Sequence, residues 1–168
     1  MRCLLALSVS LLIASCGPGD WVEIRSKEGR FSTKMPAIPS ETTQEVETAA
    51  GPIALRSREL DHEGFQYIVS FSDYPDEFLA RNGPDSILDA AREGTAATGE
   101  LLEESRISLA ENPGRFLVVL DASGERVLQI RLLLVGRRLY QFGIVTPKRD
   151  RSAAEVERFL DAFALLLD

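Results

Sequence analysis

The sequence predicts an α+β domain in which an antiparallel β-sheet carries helices on both of its faces, an α/β/α sandwich. Three observations lead there. The late runs Phe116-Leu117-Val118-Val119-Leu120, Leu132-Leu133-Leu134-Val135 and Leu139 to Val145 leave no polar face for water, so strands built from them need cover on both sides. Earlier, Thr42 to Thr48 and Ile53 to Leu60 bracket Ala50-Gly51-Pro52, which reads as strand, turn and strand. Two other segments repeat apolar residues at helical spacing and supply the cover.

Taken in order, Phe31 to Met35 alternates apolar and polar residues as a strand does. The strands at 42–48 and 53–60 are polar enough to form an edge hairpin. After the turn Asp61-His62-Glu63-Gly64, the segment Phe65 to Phe71 puts Phe65, Tyr67, Val69 and Phe71 on one face of a strand. Pro75 and Pro84 each suit a first helical turn. Pro84 to Thr98 reads as a helix with Ile87, Leu88, Ala91 and Gly94 along one stripe. Strands follow at Leu101 to Leu109, Arg115 to Leu120 and Arg126 to Val135, and Leu139 to Val145 returns after the turn Gly136-Arg137-Arg138. Ser152-Ala153-Ala154-Glu155 is a capping box, and Val156, Phe159, Leu160, Phe163 and Leu167 fall on one face of the final helix.

The chain opens on Arg2 and an apolar run from Leu4 to Ile13, the layout of a secretory signal. That run is far short of the roughly 20 apolar residues a membrane-spanning helix needs. Ile13-Ala14-Ser15-Cys16 resembles the lipobox of bacterial lipoproteins. The resemblance implies cleavage between Ser15 and Cys16 and a thioether from Cys16 to a diacylglyceryl group, with further acylation by palmitate or a similar chain. Two or more acyl chains anchor stably where one holds marginally. The other reading is an ordinary secreted protein in which Cys16 is incidental. Residues 1–15 are thus read as signal, 16–20 as attachment site and tether, and 21–168 as one domain. The tether reaches at most ~14 Å. Gly17 after the cysteine, where aspartate would mark inner-membrane retention in enteric bacteria, favours the outer membrane in a host that has one.

Composition narrows the chemistry. A net charge of −7 repels phosphate backbones, which argues against nucleic acid as a partner. Cys3 and Cys16 are the two cysteines, so once the signal is removed and Cys16 is lipidated no thiol remains for catalysis, redox exchange or metal binding. His62 is the single histidine, which leaves no histidine pair for zinc; a Ser-His-Asp arrangement would have to use it, and its place in a polar turn reads instead as a solvated histidine. The carboxylate pairs Glu103 and Glu104, and Asp73 and Asp76, lack the spacing of a calcium loop and read as solvated surface. The basic segments Arg137-Arg138 and Lys148-Arg149-Asp150-Arg151 either solubilise turns or face anionic headgroups. No cofactor and no metal is expected.

The order of elements, with Gly29-Arg30-Phe31-Ser32, Met35-Pro36, Pro39, Ser72-Asp73-Tyr74-Pro75, Arg138-Leu139-Tyr140-Gln141 and the final Phe159-Leu160 and Phe163, is similar to the PsbP-like superfamily, which includes the extrinsic photosystem II subunit and DcrB-like envelope lipoproteins. The resemblance spans nearly the whole chain after the signal and implies docking and assembly roles in place of one reaction.

Ser72-Asp73-Tyr74-Pro75-Asp76 joins a strand to a helix, carries an aromatic ring and is stiffened by proline. Asp73, Tyr74 and Asp76 are therefore the candidate partner-binding residues; the alternative is that Tyr74 packs over the sheet edge and Asp73 caps the helix. The expected function is that of a non-catalytic, lipid-anchored envelope protein that binds a protein partner and assists a membrane complex. The alternative is a small-ligand binding module, or an enzyme, using a pocket between the sheet and the helix at 84–98.

Overall fold

The computed structural model describes residues 21–166; the predicted signal, Ser15 and Cys16, and Leu167 lie outside the described residues. Two sheets form. The larger has seven strands in the order β3-β4-β5-β9-β8-β7-β6, all neighbours antiparallel. These are β3 (Ser40–Thr48), β4 (Gly51–His62), β5 (Phe65–Asp73), β6 (Gly99–Leu109), β7 (Asn112–Asp121), β8 (Arg126–Val135) and β9 (Arg138–Pro147). The smaller joins β1 (Val22–Ser26), β2 (Phe31–Met35) and β10 (Ala164–Leu165) in the order β1-β2-β10. Helices α1 (Asp76–Asn82) and α2 (Pro84–Ala96) connect β5 to β6, and a 3₁₀ turn (Lys148–Asp150) leads into α3 (Ala154–Leu160). Among the described residues no helix is long and apolar enough to cross a membrane.

The apolar residues that predicted two-sided cover receive it. On one face of the large sheet, Tyr67, Val69 and Phe71 of β5 and Tyr140, Phe142 and Ile144 of β9 pack against β1–β2 and α3. Phe163 stacks on Phe142 with ring centroids 4.0 Å apart, and the Tyr67 ring meets Phe159 edge-on at 5.2 Å. On the other face, Ile87 and Leu88 of α2 pack on Leu117, Val119, Ile130, Leu132 and Leu134. Adjacent strand residues point to opposite faces, so Leu132 and Leu134 serve the second core while Leu133 serves the first.

α2 sits over β6, β7 and β8. A charge cluster holds it there. Arg115, 4% exposed, reaches from β7 to Asp89 of α2 at 2.8 Å, with Asp85 and Glu104 at 4.0 and 3.9 Å, and Arg92 of α2 bonds Glu104 at 2.9 Å. A buried guanidinium needs such partners, because an unpaired charge in that position costs several kcal/mol.

Three expectations are corrected. The capping box does not cap: Ala153 is the residue before α3, no side chain caps it, and the helix starts too late for the Ser152 hydroxyl to reach the first free N–H groups. The final helix also stops at Leu160 instead of running through Phe163, because the following residues satisfy the open edge of β2, where Ala164 and Leu165 pair with Ser32 and Phe31 and the Leu166 N–H donates to Arg30 O at 2.8 Å. The break between the strands at 101–109 and 115–120 is a two-residue turn, Ala110-Glu111, with φ of 48° and 65°, and the Asn112 amide donates to Ala110 O at 2.8 Å to hold it. β1 was not foreseen, since Val22–Ser26 exposes most of its length and carries little apolar pattern.

Phe159 is fully buried, so Phe159→Ala is expected to destabilise the domain by about 3 to 5 kcal/mol, read from urea denaturation. Glu111→Gly is expected to stabilise it by about 1 kcal/mol in the same measurement, by relieving a left-handed conformation that glycine adopts freely.

Candidate functional site

Asp73 ends β5 directly across from Arg138, the first residue of β9. The guanidinium grips both carboxylate oxygens at 2.7 Å, donates to Glu28 O at 2.7 Å, and lies 4.7 Å above the Phe71 ring. Beside it the Tyr140 hydroxyl donates to Gly29 O at 2.7 Å. Gly29-Arg30, Asp73-Tyr74 and Arg138-Tyr140, three of the segments that carry the family resemblance, thus converge at one end of the sheet and tie the turn between β1 and β2 to β5 and β9. The Arg138 guanidinium holds the Asp73 carboxyl below the usual carboxylate range, while burial pushes the Tyr140 hydroxyl up.

The predicted loop residues take different places. Asp73 is committed to Arg138 and does not cap α1, which begins after Pro75 without a side-chain cap. Tyr74 is 7% exposed; its ring faces Phe78 at 6.0 Å within the α2-side core, and its N–H donates to Arg137 O at 2.9 Å. Asp76 stands exposed at the start of α1, 3.9 Å from Arg137. Tyr74 therefore offers a packing surface to the core and little of its ring to the outside.

Glu103 and Glu104 are neighbours in sequence but turn to opposite sides of the sheet, Glu103 to Arg151 and Glu104 to Arg92 and Arg115. His62 ends β4 beside the Glu63-Gly64 turn, its closest charged partner Glu63 at 3.9 Å. Among the described residues no group of three or more His, Cys, Asp or Glu is placed to hold a metal ion. The two basic segments lie at opposite ends of β9, roughly 30 Å apart at ~3.3 Å per residue. Trp21 packs on Tyr67, which pairs with Ile144, so the described chain begins nearer the Lys148-Arg149 end.

Two open surfaces stand out. One is the outer edge of β3, a nine-residue strand whose single described partner is β4 and whose residues are exposed over most of its length. Glu41, Thr43, Glu45 and Glu47 share one face of it, and Glu41 bonds Arg58 at 2.9 Å. The other is a groove of about 510 Å³ between α2, the tip of the β3–β4 hairpin and the sheet. It exists because α2 is held over β6–β8 and presents small residues, Ala90, Ala91 and Gly94, to the neighbouring part of the face. The expected sheet–helix pocket was placed by the helix pattern, but its polar members Ser72 and Gln141 were not read from the sequence, since nothing local distinguishes them from other strand residues.

No protein-family model matches this chain, and no curated protein matches it in sequence. Among solved structures it is similar to cyanobacterial PsbP from Synechocystis sp. PCC 6803, with a TM-score of 0.52 at 13% identity, over 91% of this chain and 98% of that one. A Pseudomonas aeruginosa protein of unknown function, PA94, aligns with a TM-score of 0.40 at 13% identity over 82% of this chain and 90% of that one. The fold is PsbP-like.

The Asp73–Arg138 pair has a signature in pH. The folded carboxyl ionises below its unfolded value of about 3.9, so the pair stabilises the domain above that value and the contribution is lost as pH falls through the lower, folded one. Asp73→Asn is expected to cost about 2 kcal/mol at pH 7, and the gap from the native protein should close below about pH 4 in urea denaturation series.

Proposed function

We propose that the chain is a non-catalytic, lipid-anchored envelope protein of the PsbP-like fold that docks a protein partner through the edge of β3. The open edge of β3 is the observation that supports this reading most directly. An unpaired strand edge presents a row of N–H and C=O groups to which an extended segment of another protein adds as a further strand. Glu45 and Glu47 form no ion pair with a described residue and lie on one face of that edge, so a segment carrying lysine or arginine is the complement, while two β3 edges repel one another. The other free edge, β6, is interrupted by a bulge at Leu102 and its Glu103 and Glu104 are already engaged.

The lipid anchor rests on the lipobox Ile13-Ala14-Ser15-Cys16, with outer-membrane placement following from Gly17. A tether of about four residues keeps the domain within ~14 Å of the bilayer, and the end of β9 that carries Lys148 and Arg149 is the one nearer Trp21. The partner is accordingly a protein at the same membrane.

Cys16→Ser is expected to abolish labelling by radioactive palmitate in cells and leave the precursor unprocessed; equal labelling would remove the anchor from this reading. With the anchor intact, a photocrosslinking residue at Gln44 is expected to yield one discrete adduct, and Glu45→Lys with Glu47→Lys to reduce it by tenfold or more at unchanged Tm. An adduct indifferent to that charge reversal would mean that β3 is not the docking edge.

A further inference from the structure

The groove between α2 and the β3–β4 hairpin has a chemistry of its own, separate from the edge of β3. Its floor is aliphatic, built from Ile53, Leu55, Leu128, Ile130 and Leu139. No lysine, arginine or histidine lines it, and the single charged lining residue is Glu47, exposed at its mouth. Three of its hydroxyls are already committed to backbone: Thr48 donates to Gly51 O, Thr95 to Ala91 O and Thr98 to Thr95 O. Besides Glu47, three polar side chains remain: Ser72, Gln141 and Tyr74, whose ring packs with Phe78 in the α2-side core. Ser72 is 2% exposed, and Gln141 is half-buried on the adjacent strand; neither side chain hydrogen-bonds another described residue. Water reaches both in the open groove, so an occupant that displaces it must hydrogen-bond them or leave them unpaired at about 1 to 3 kcal/mol each, which selects for a ligand with polar groups at those positions. A volume near 510 Å³ is within the range of roughly 300 to 1,000 Å³ typical of small-molecule sites.

We infer that this groove binds an uncharged, mainly aliphatic molecule bearing a neutral group that both accepts and donates hydrogen bonds, of which a glycerol ester is the representative. The aliphatic chain covers the floor, and the ester and hydroxyl oxygens meet the Gln141 amide and the Ser72 hydroxyl. A fatty acid, a phosphate ester or a nucleotide is disfavoured: each brings a negative charge onto an apolar surface with no cation to pair it. Specificity against anions is built from what the lining lacks as much as from what it holds.

α2 supplies the discriminating variant. Gly94 lines the groove, a Cβ there meets nothing within 4 Å and its backbone is ordinary helix, so the helix accepts a side chain at this position and Gly94→Phe adds bulk at the groove. Full-length chain carrying Cys16→Ser, so that no acyl group of its own competes, is titrated calorimetrically with monodecanoylglycerol and, separately, with decanoate, both below their aggregation concentrations. Saturable binding of monodecanoylglycerol at least tenfold tighter than decanoate is expected. Gly94→Phe should abolish it while keeping or raising Tm, and Gln141→Leu should weaken it about five- to tenfold. Failure of monodecanoylglycerol to bind, equal binding of decanoate, or binding undiminished by Gly94→Phe each overturns the assignment. Crosslinking from Gln44 in the Gly94→Phe background separates this site from docking at β3, since that adduct should persist.

Discussion

β8 and β9 are apolar on both faces, and the rest of the structure answers to that constraint. An antiparallel sheet with one wet face needs a single covering layer; here Leu132 and Leu134 demand one on one side while Leu133, Tyr140 and Phe142 demand another on the opposite side. The chain meets the first demand with α2, inserted between β5 and β6. It meets the second with its two ends, β1–β2 from the start of the domain and α3 with β10 from its close. Phe163 completes that second layer by lying on Phe142, and the aromatic stack of Phe31, Phe163 and Phe142 joins the small sheet to the large one.

Charge sets where these layers sit. Arg115, enclosed by carboxylates of α2 and β6, fixes the helix over β6–β8, and Arg138, gripped by Asp73 and bonded to the carbonyl of Glu28, fixes the β1–β2 turn at the opposite face. Bidentate arginine–carboxylate geometry makes such a pair directional as well as strong. Gly29, Asp73, Arg138 and Tyr140 meet at this second buckle as requirements of the fold: the Gly29 carbonyl accepts from Tyr140, and a Cβ at Gly29 would lie 2.5 Å from the Phe31 ring.

The two open surfaces have opposite chemistry. The β3 edge is polar and acidic and offers backbone hydrogen bonds; the groove beside it is neutral and mostly aliphatic. One hairpin separates them: β3 carries the free edge and also lines the groove with Val46, Glu47 and Thr48. The chain's net charge of −7 disfavours adhesion to anionic surfaces.

The sequence by itself determined the elements whose signal is local: the alternation of Phe65 to Phe71, the doubly apolar runs of the late strands, the stripe of α2, and the turn before β5. Alternation and helical spacing are properties of consecutive residues, so they survive without knowledge of what lies across the sheet. The tertiary structure alone decided which strands neighbour which, that Tyr74 turns inward, that the last helix yields to β10, and that Ser72 and Gln141 face a space α2 leaves open. Each of these depends on partners tens of residues away, such as Arg138 for Asp73, Phe142 for Phe163 and the edge of β2 for Leu165, and no local pattern encodes a contact whose energy is realised only when distant segments meet.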